Sequence, residues 1–183
     1  MKVHTDFSSY INVKNPVVTV GTFDGVHLGH QKILNRIKKI ASSVSGETVL
    51  LTFHPHPRKV LFNDKTVKLI HTLNEKIKVL EKKGLDHLVI YPFTRSFSTY
   101  SAQKYVEELI VNKLFGTITG KRIGILGFSF KANTNDTRES PAIKICKEIL
   151  EENCKLAIYD PKVNPKQIEN DLKIKKISET NHE

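Results

Sequence analysis

Gly21-Thr22-Phe23-Asp24-Gly25-Val26-His27-Leu28-Gly29-His30 is the stretch around which this chain is built. The apolar run 17–20 leads into it, and an amphipathic segment opens near Gln31. The pattern reads as strand, turn, helix. A helix N-terminus offers free N–H groups and the positive end of the helix dipole, and both favour phosphate. Gly21, Gly25 and Gly29 allow close approach to the backbone. His27 and His30 are three apart, on one face of the first turn. The expectation is a phosphate cradle with two imidazole donors. The same histidine spacing also serves metal sites, although no third ligand accompanies it and glycines surround it. Histidines that merely cap the helix or face solvent are the plainest reading, and Asp24 has an equally plain use as a turn cap.

Outward from this stretch the chain alternates. Residues 17–23 read as a buried strand, short, β-branched and bounded by Pro16 and glycine. Ile33, Leu34, Ile37, Ile40 and Ala41 give the following helix an apolar stripe. Residues 48–53 form a second strand, broken by His54-Pro55-His56-Pro57, which is a rigid turn or a ligand wall. Thr72 and Glu75 have capping-box spacing for a helix through Ile77 and Leu80, with Gly84 placed to end it. Strands are expected at 87–93, 121–128 and 154–159, with a helix over 101–114 and another after Ser140-Pro141. Residues 1–15 are undecided between edge strand and loose arm, and 164–183 read as a frayed helix or polar tail. Five strands alternating with four helices predict an α/β fold: a doubly wound, five-stranded parallel sheet with right-handed crossovers. Ligands of such sheets bind beyond the strand C-termini, where the cradle lies.

The composition narrows the class. The chain has 183 residues, 39% of them hydrophobic, and a formal charge of +10. Most of that charge is lysine scattered over helix faces and the tail, without a nucleic-acid-binding motif, so a solvated basic surface is expected and no nucleic-acid partner. No apolar run approaches the roughly 18–20 residues of a membrane span, and the first residues lack a signal-peptide layout. A cytoplasmic location and no membrane partner are the expectations. Cys146 and Cys154 lack C-x-x-C spacing, so neither a metal site nor a disulfide is indicated.

Three motifs in order, GTFDGVHLGHQ, TFHPHP and KLIHTLNEKIKVLEKKGLDHLVIYPF, resemble the flavin-adenylylating domain of bacterial riboflavin kinase/FAD synthetases, a family of HxGH nucleotidyltransferases. The resemblance covers about 16–114. It implies a Rossmann-like fold and an FMN adenylyltransferase reaction, in which AMP passes from ATP to FMN and pyrophosphate leaves. It implies that His27 and His30 are the catalytic pair, donating to the ATP phosphates. Gly21, Thr22, Phe23, Asp24 and Gly29 match the ATP-binding loop, and Phe53, His54, Pro55, His56 and Pro57 match the segment bordering the flavin. Magnesium would bridge the phosphates. No riboflavin kinase barrel follows, so riboflavin phosphorylation is not expected.

Past Leu114 the resemblance changes. That family continues with GxDFRFG-like and ISSTxIR-like motifs, and neither is present. Instead 114–163, above all GFSFKANTNDTRESPA at 127–142, is similar to the start of the C-terminal domain of UDP-glucose 6-dehydrogenases. Phe130 and Lys131 match positions touching the UDP-sugar in that family, and Arg138 one reaching NAD. The dehydrogenase's GxGYVG fingerprint and its catalytic-cysteine motif are absent, so dehydrogenase activity is not expected. The chain therefore reads as a chimera joined within 111–116: a nucleotidyltransferase portion at 1–114, a dehydrogenase-like strand–helix–strand at 115–163 completing the same sheet, and a tail at 164–183. In that topology the 121–128 strand lies beside the first one, and Lys131 and Arg138 would come next to the cradle as replacement phosphate contacts. The alternatives are a solvated loop there and, for the whole chain, a nucleotide- or flavin-binding module without turnover or a recombined fragment.

Overall fold

The central strand of the first unit explains the rest of it. In a computed structural model, which describes residues 1–8, 11–62, 67–130 and 134–173, Thr48–His54 is buried along all but its last two residues. A continuous apolar strand of this kind belongs in the middle of a parallel sheet covered on both faces. The chain divides into two compact units, Met1–Tyr100 and Ser101–Glu183. In the first, β1 (Lys2–His4), β2 (Val17–Val20), β3 (Thr48–His54) and β4 (His87–Pro92) form one sheet in the order β1-β4-β3-β2. Every pairing is parallel. Helix α1 (Leu28–Ser43) buries Leu34, Ile37 and Ala41 and packs against β2 and β3. Each of the two larger side chains contributes about 1.5–3 kcal/mol by leaving water. Short α2 (Pro57–Leu61) follows the proline turn. Helix α3 (Leu73–Lys82) carries a complete capping box between Thr72 and Glu75, and Gly84 follows it at φ +70°. Helix α4 (Arg95–Ser98) closes the unit.

Three residues are too few to hold β1 by pairing alone. His4 Nε2 lies 3.0 Å from His87 Nδ1, and the two rings are stacked within 8°. His87 is buried, and its other nitrogen lies 3.4 Å from Glu47 Oε1. The residues left undecided at the N-terminus thus supply an edge strand.

The second unit begins with α5 (Ala102–Lys104), which runs straight into a wide, π-helical segment, Tyr105–Phe115. Val106, Leu109, Ile110, Leu114 and Phe115 are buried on it, and Gly116 ends it at φ +68°. Then come β5 (Arg122–Leu126), α6 (Pro141–Glu151), β6 (Lys155–Tyr159) and α7 (Pro165–Leu172). Asp160, 4% exposed, accepts hydrogen bonds from the backbone N–H of Phe128, Ser129, Lys162 and Val163 at 2.7–3.2 Å. One carboxylate thereby ties the loops that leave both strands of this unit.

One expectation needs correction. The single five-stranded sheet is in fact a four-stranded sheet and a separate two-stranded one. β5 pairs with β6, not with β2: a strand followed by one helix finds its parallel partner in the next strand by the shortest crossover. The strand adjacency that would have brought Lys131 and Arg138 to the cradle is therefore absent, and Lys131 itself lies outside the described residues. Of 164–183, read as a frayed helix or a polar tail, the described part forms a helix. Asn164 caps a helix with Pro165 in its first turn, and Ile168 and Leu172, one turn apart, are buried. Residues 174–183 lie outside the described residues. Among the described residues no helix is long and apolar enough to cross a membrane.

Candidate functional site

Between β2 and α1 the backbone makes a strained turn. Phe23 (φ +48°) and Val26 (φ +41°) both take left-handed conformations, which cost about 1–3 kcal/mol apiece for such side chains. Both are 2% exposed, so burial offsets the strain. Gly25 sits between them at φ +76°, where a β-carbon would stand 2.6 Å from Ile70 Cδ1. The Asp24 carboxylate accepts the backbone N–H of Ile70 and of His71 at 2.9–3.1 Å. Burial alone would raise its pKa, but these bonds outweigh that and hold it below the usual carboxylate range. Asp24 thus clamps the 70–71 segment onto the turn.

His27 and His30 come together as expected, in a specific way. His27 is the N-cap of α1, and its Nδ1 accepts the His30 N–H in a long bond of 3.4 Å. With Nδ1 accepting, the proton of the neutral ring stands on Nε2, which becomes a donor. The two rings stack at 3.7 Å between centroids, and Phe23 stacks on the other side of His30 at 4.4 Å. Gly29 makes room for this: a β-carbon there would lie 3.1 Å from the His27 ring. The space over Gly29 therefore holds an imidazole of the chain itself. Burial, and then the neighbouring His27, push the His30 pKa down to about 4 against an opposing pull from Asp24. Near neutrality His30 is an uncharged ring whose Nδ1 is buried without a hydrogen-bond partner.

Next to the turn lies a narrow cleft of about 30 Å³, lined by Thr22, Asp24, Phe53, His54, His56, Leu69, His71, Leu73 and Lys76. It brings the turn together with the end of β3 and the start of α3, but neither His27 nor His30 lines it. Pro55 and Pro57 stand back from it: the His54–Pro55 bond is cis, and Pro57 opens α2. His56 Nδ1 caps that helix by accepting the Arg58 N–H at 3.2 Å. Its pKa is lowered by burial in spite of Asp24. Phe53 leads from the cleft into an aromatic group, with ring centroids 5.6 Å from those of both Phe93 and Phe97.

Lys76 is the residue that the motif reading missed. It is 9% exposed, and its ammonium donates to the Thr22 carbonyl at 3.1 Å and to Thr52 Oγ1 at 3.2 Å. Thr52 Oγ1 donates to the same carbonyl at 3.2 Å. A signal existed in the spacing: Leu73, Lys76, Ile77 and Leu80 form one helical stripe, with a lysine where an apolar residue belongs. Of the dehydrogenase-like positions, Phe130 is 47% exposed. Arg138 is bound in two-pronged fashion to Asp136, by Nε and Nη2 at 2.9 Å each. Among the described residues no group of three or more histidines, cysteines or carboxylates could hold a metal ion.

A parallel α/β unit with a glycine-rich turn opening into a helix capped by paired histidines is nucleotidyltransferase-like. The chain belongs to the FAD synthetase family, whose model matches residues 11–145. A second family model, the UDP-binding domain of the UDP-glucose/GDP-mannose dehydrogenase family, matches 124–183, so two families meet in one chain. Among curated proteins, the bifunctional riboflavin kinase/FMN adenylyltransferase of Buchnera aphidicola subsp. Schizaphis graminum is 39% identical over 100 residues, 55% of this chain and 32% of that protein. The protein of that name in Listeria monocytogenes is 42% identical over 98 residues, 53% of this chain and 31% of its own length. The UDP-glucose 6-dehydrogenase of Drosophila melanogaster is 48% identical over 81 residues, 44% of this chain and 17% of the fly protein. The chain thus spans about a third of the adenylyltransferase relatives and about a sixth of the dehydrogenase. Among solved structures, the macrolide-efflux protein from Streptococcus pneumoniae matches with a TM-score of 0.62 at 20% identity, over 90% of this chain and 51% of that one, a likeness of fold alone.

Proposed function

We propose that the first unit carries an FMN adenylyltransferase site, transferring AMP from ATP to FMN. The observation that carries this reading is the stacked His27–His30 pair at the mouth of α1, with a cleft lined by Thr22 and Asp24 of the same turn. A phosphate oxygen of FMN attacks the α-phosphorus of ATP, the bond to the β-phosphate oxygen breaks, and pyrophosphate leaves with FAD formed. No protein nucleophile is needed. What the protein supplies is alignment of two anions and donors aimed at the growing charge. His27 and His30 would give hydrogen bonds to the ATP phosphates. Gly21, Thr22, Phe23, Asp24 and Gly29 would shape the loop around the nucleotide. Phe53, His54, Pro55, His56 and Pro57 would border the flavin, with the aromatic group behind Phe53 as the apolar wall. Magnesium would come with ATP and offset the charge of its phosphates; among the described residues lining the cleft, Asp24 is the one carboxylate, and its oxygens accept from Ile70 and His71.

The test is incubation of the purified chain with FMN, ATP and magnesium. FAD and pyrophosphate should form in equal amounts, and His27→Ala or His30→Ala should lower the rate about 10²–10³-fold. A second reading, a nucleotide- or flavin-binding module without turnover, is favoured by the absence of an ISSTxIR-like motif. It predicts ligand-induced thermal stabilisation with no FAD formed.

A further inference from the structure

Lys76 is a buried cation whose two hydrogen-bond partners, the Thr22 carbonyl and the Thr52 hydroxyl, are both neutral. An ammonium has three N–H donors, so one is left over. Among the described residues no carboxylate lies within ion-pair distance of it, since Asp24 acts on it only at longer range and spends its oxygens on Ile70 and His71. Burying a charge without a counter-charge is costly, and burial lowers the Lys76 pKa accordingly. Lys76 also lines the cleft, whose free volume of about 30 Å³ suits one or two waters or the oxygens of a small anionic group, not a ring.

We propose that Lys76 is the counter-cation for a ligand phosphate entering this cleft, and that the phosphate is the flavin's own monophosphate. The assignment rests on the adenylyltransferase reading. That reaction brings two phosphate-bearing ligands together, and the cleft, lined by Thr22 and Asp24 of the turn together with Phe53, His54, His56 and Lys76, leaves His27 and His30 outside its lining. Lys76 then holds non-attacking oxygens of the nucleophile by a charge-assisted hydrogen bond, while the histidines face ATP.

The test compares FMN with riboflavin, which lacks the phosphate, by quenching of flavin fluorescence on the full chain without ATP. The wild type should bind FMN about tenfold or more tightly over riboflavin. Lys76→Met should abolish that preference with riboflavin affinity unchanged, and Lys76→Arg should keep most of it. Retained riboflavin binding by Lys76→Met also reports that the cleft is folded. A Lys76→Met chain that still prefers FMN overturns the assignment and leaves the adenylyltransferase reading standing. So does a variant that loses both flavins in parallel, because Lys76 would then only shape the turn. A wild type that binds neither flavin overturns both.

Discussion

The imidazole of His27 lies 3.1 Å from the point that a β-carbon on Gly29 would occupy. Gly29→Ala therefore separates stability from ligand binding. Alanine favours a helix by about 1 kcal/mol over glycine, so the melting temperature should hold or rise. The His27 ring must shift by a few tenths of an ångström, loosening its stack on His30. ATP affinity, measured by titration calorimetry, should weaken about five- to tenfold, which corresponds to roughly 1–1.4 kcal/mol.

Acid should destabilise the first unit before its carboxylates protonate. The pKa of His30 falls to about 4 on folding, and those of His4 and His56 also fall, chiefly through burial. The unfolded chain, with histidines near 6.5, then binds protons that the folded chain refuses. Stability is greatest above pH 6.5 and is lost as pH drops from there towards 4. Thermal melts across that range should show a steady decline, and His30→Asn should flatten part of it.

The capping box of α3 invites a direct measurement. The Thr72 hydroxyl accepts the Glu75 N–H at 3.3 Å, and Glu75 Oε2 accepts the Thr72 N–H at 2.8 Å. Thr72→Ala should cost about 1 kcal/mol, read as a lower denaturant midpoint with unchanged slope. Because α3 carries Lys76, flavin binding should weaken alongside.

Asp160→Ala should strike the second unit. It strips four backbone N–H groups of their acceptor, two of them in buried surroundings. Each buried group left unpaired costs about 1–3 kcal/mol. Limited proteolysis should cut the variant within 101–173 far faster than the wild type. Cleavage in residues 1–100 should change little.

Local signals made most of the first unit legible. The Val17–Val20 run, the glycines at 21–29 and the α1 stripe specify strand, turn and helix within a few residues of one another, as Thr72 and Glu75 specify the start of α3. Pairing is non-local, and there the reading failed. KRIGILGF has the length and character to join either sheet, and only the crossover to β6 decides which. For 164–183 the sequence leaves helix and tail both open, although Asn164-Pro165 repeats the cap-and-proline signal of Ser140-Pro141 that marks the helix start. At the candidate site, His27 and His30 are singled out by the motif. Lys76 is not, because a lysine within a helical stripe ordinarily lets its charge reach water, and only the folded chain shows this one bonded to Thr22 and Thr52.

The stacked His4–His87 pair helps keep a sheet edge covered. β1 is the outermost strand of its sheet and covers the hydrogen-bonding edge of β4. Uncovered strand edges are templates for chain-to-chain pairing. The His4–His87 contact at 3.0 Å fastens β1 onto β4. A variant without that contact, His4→Ala, should therefore leave the β4 edge less guarded and self-associate more readily.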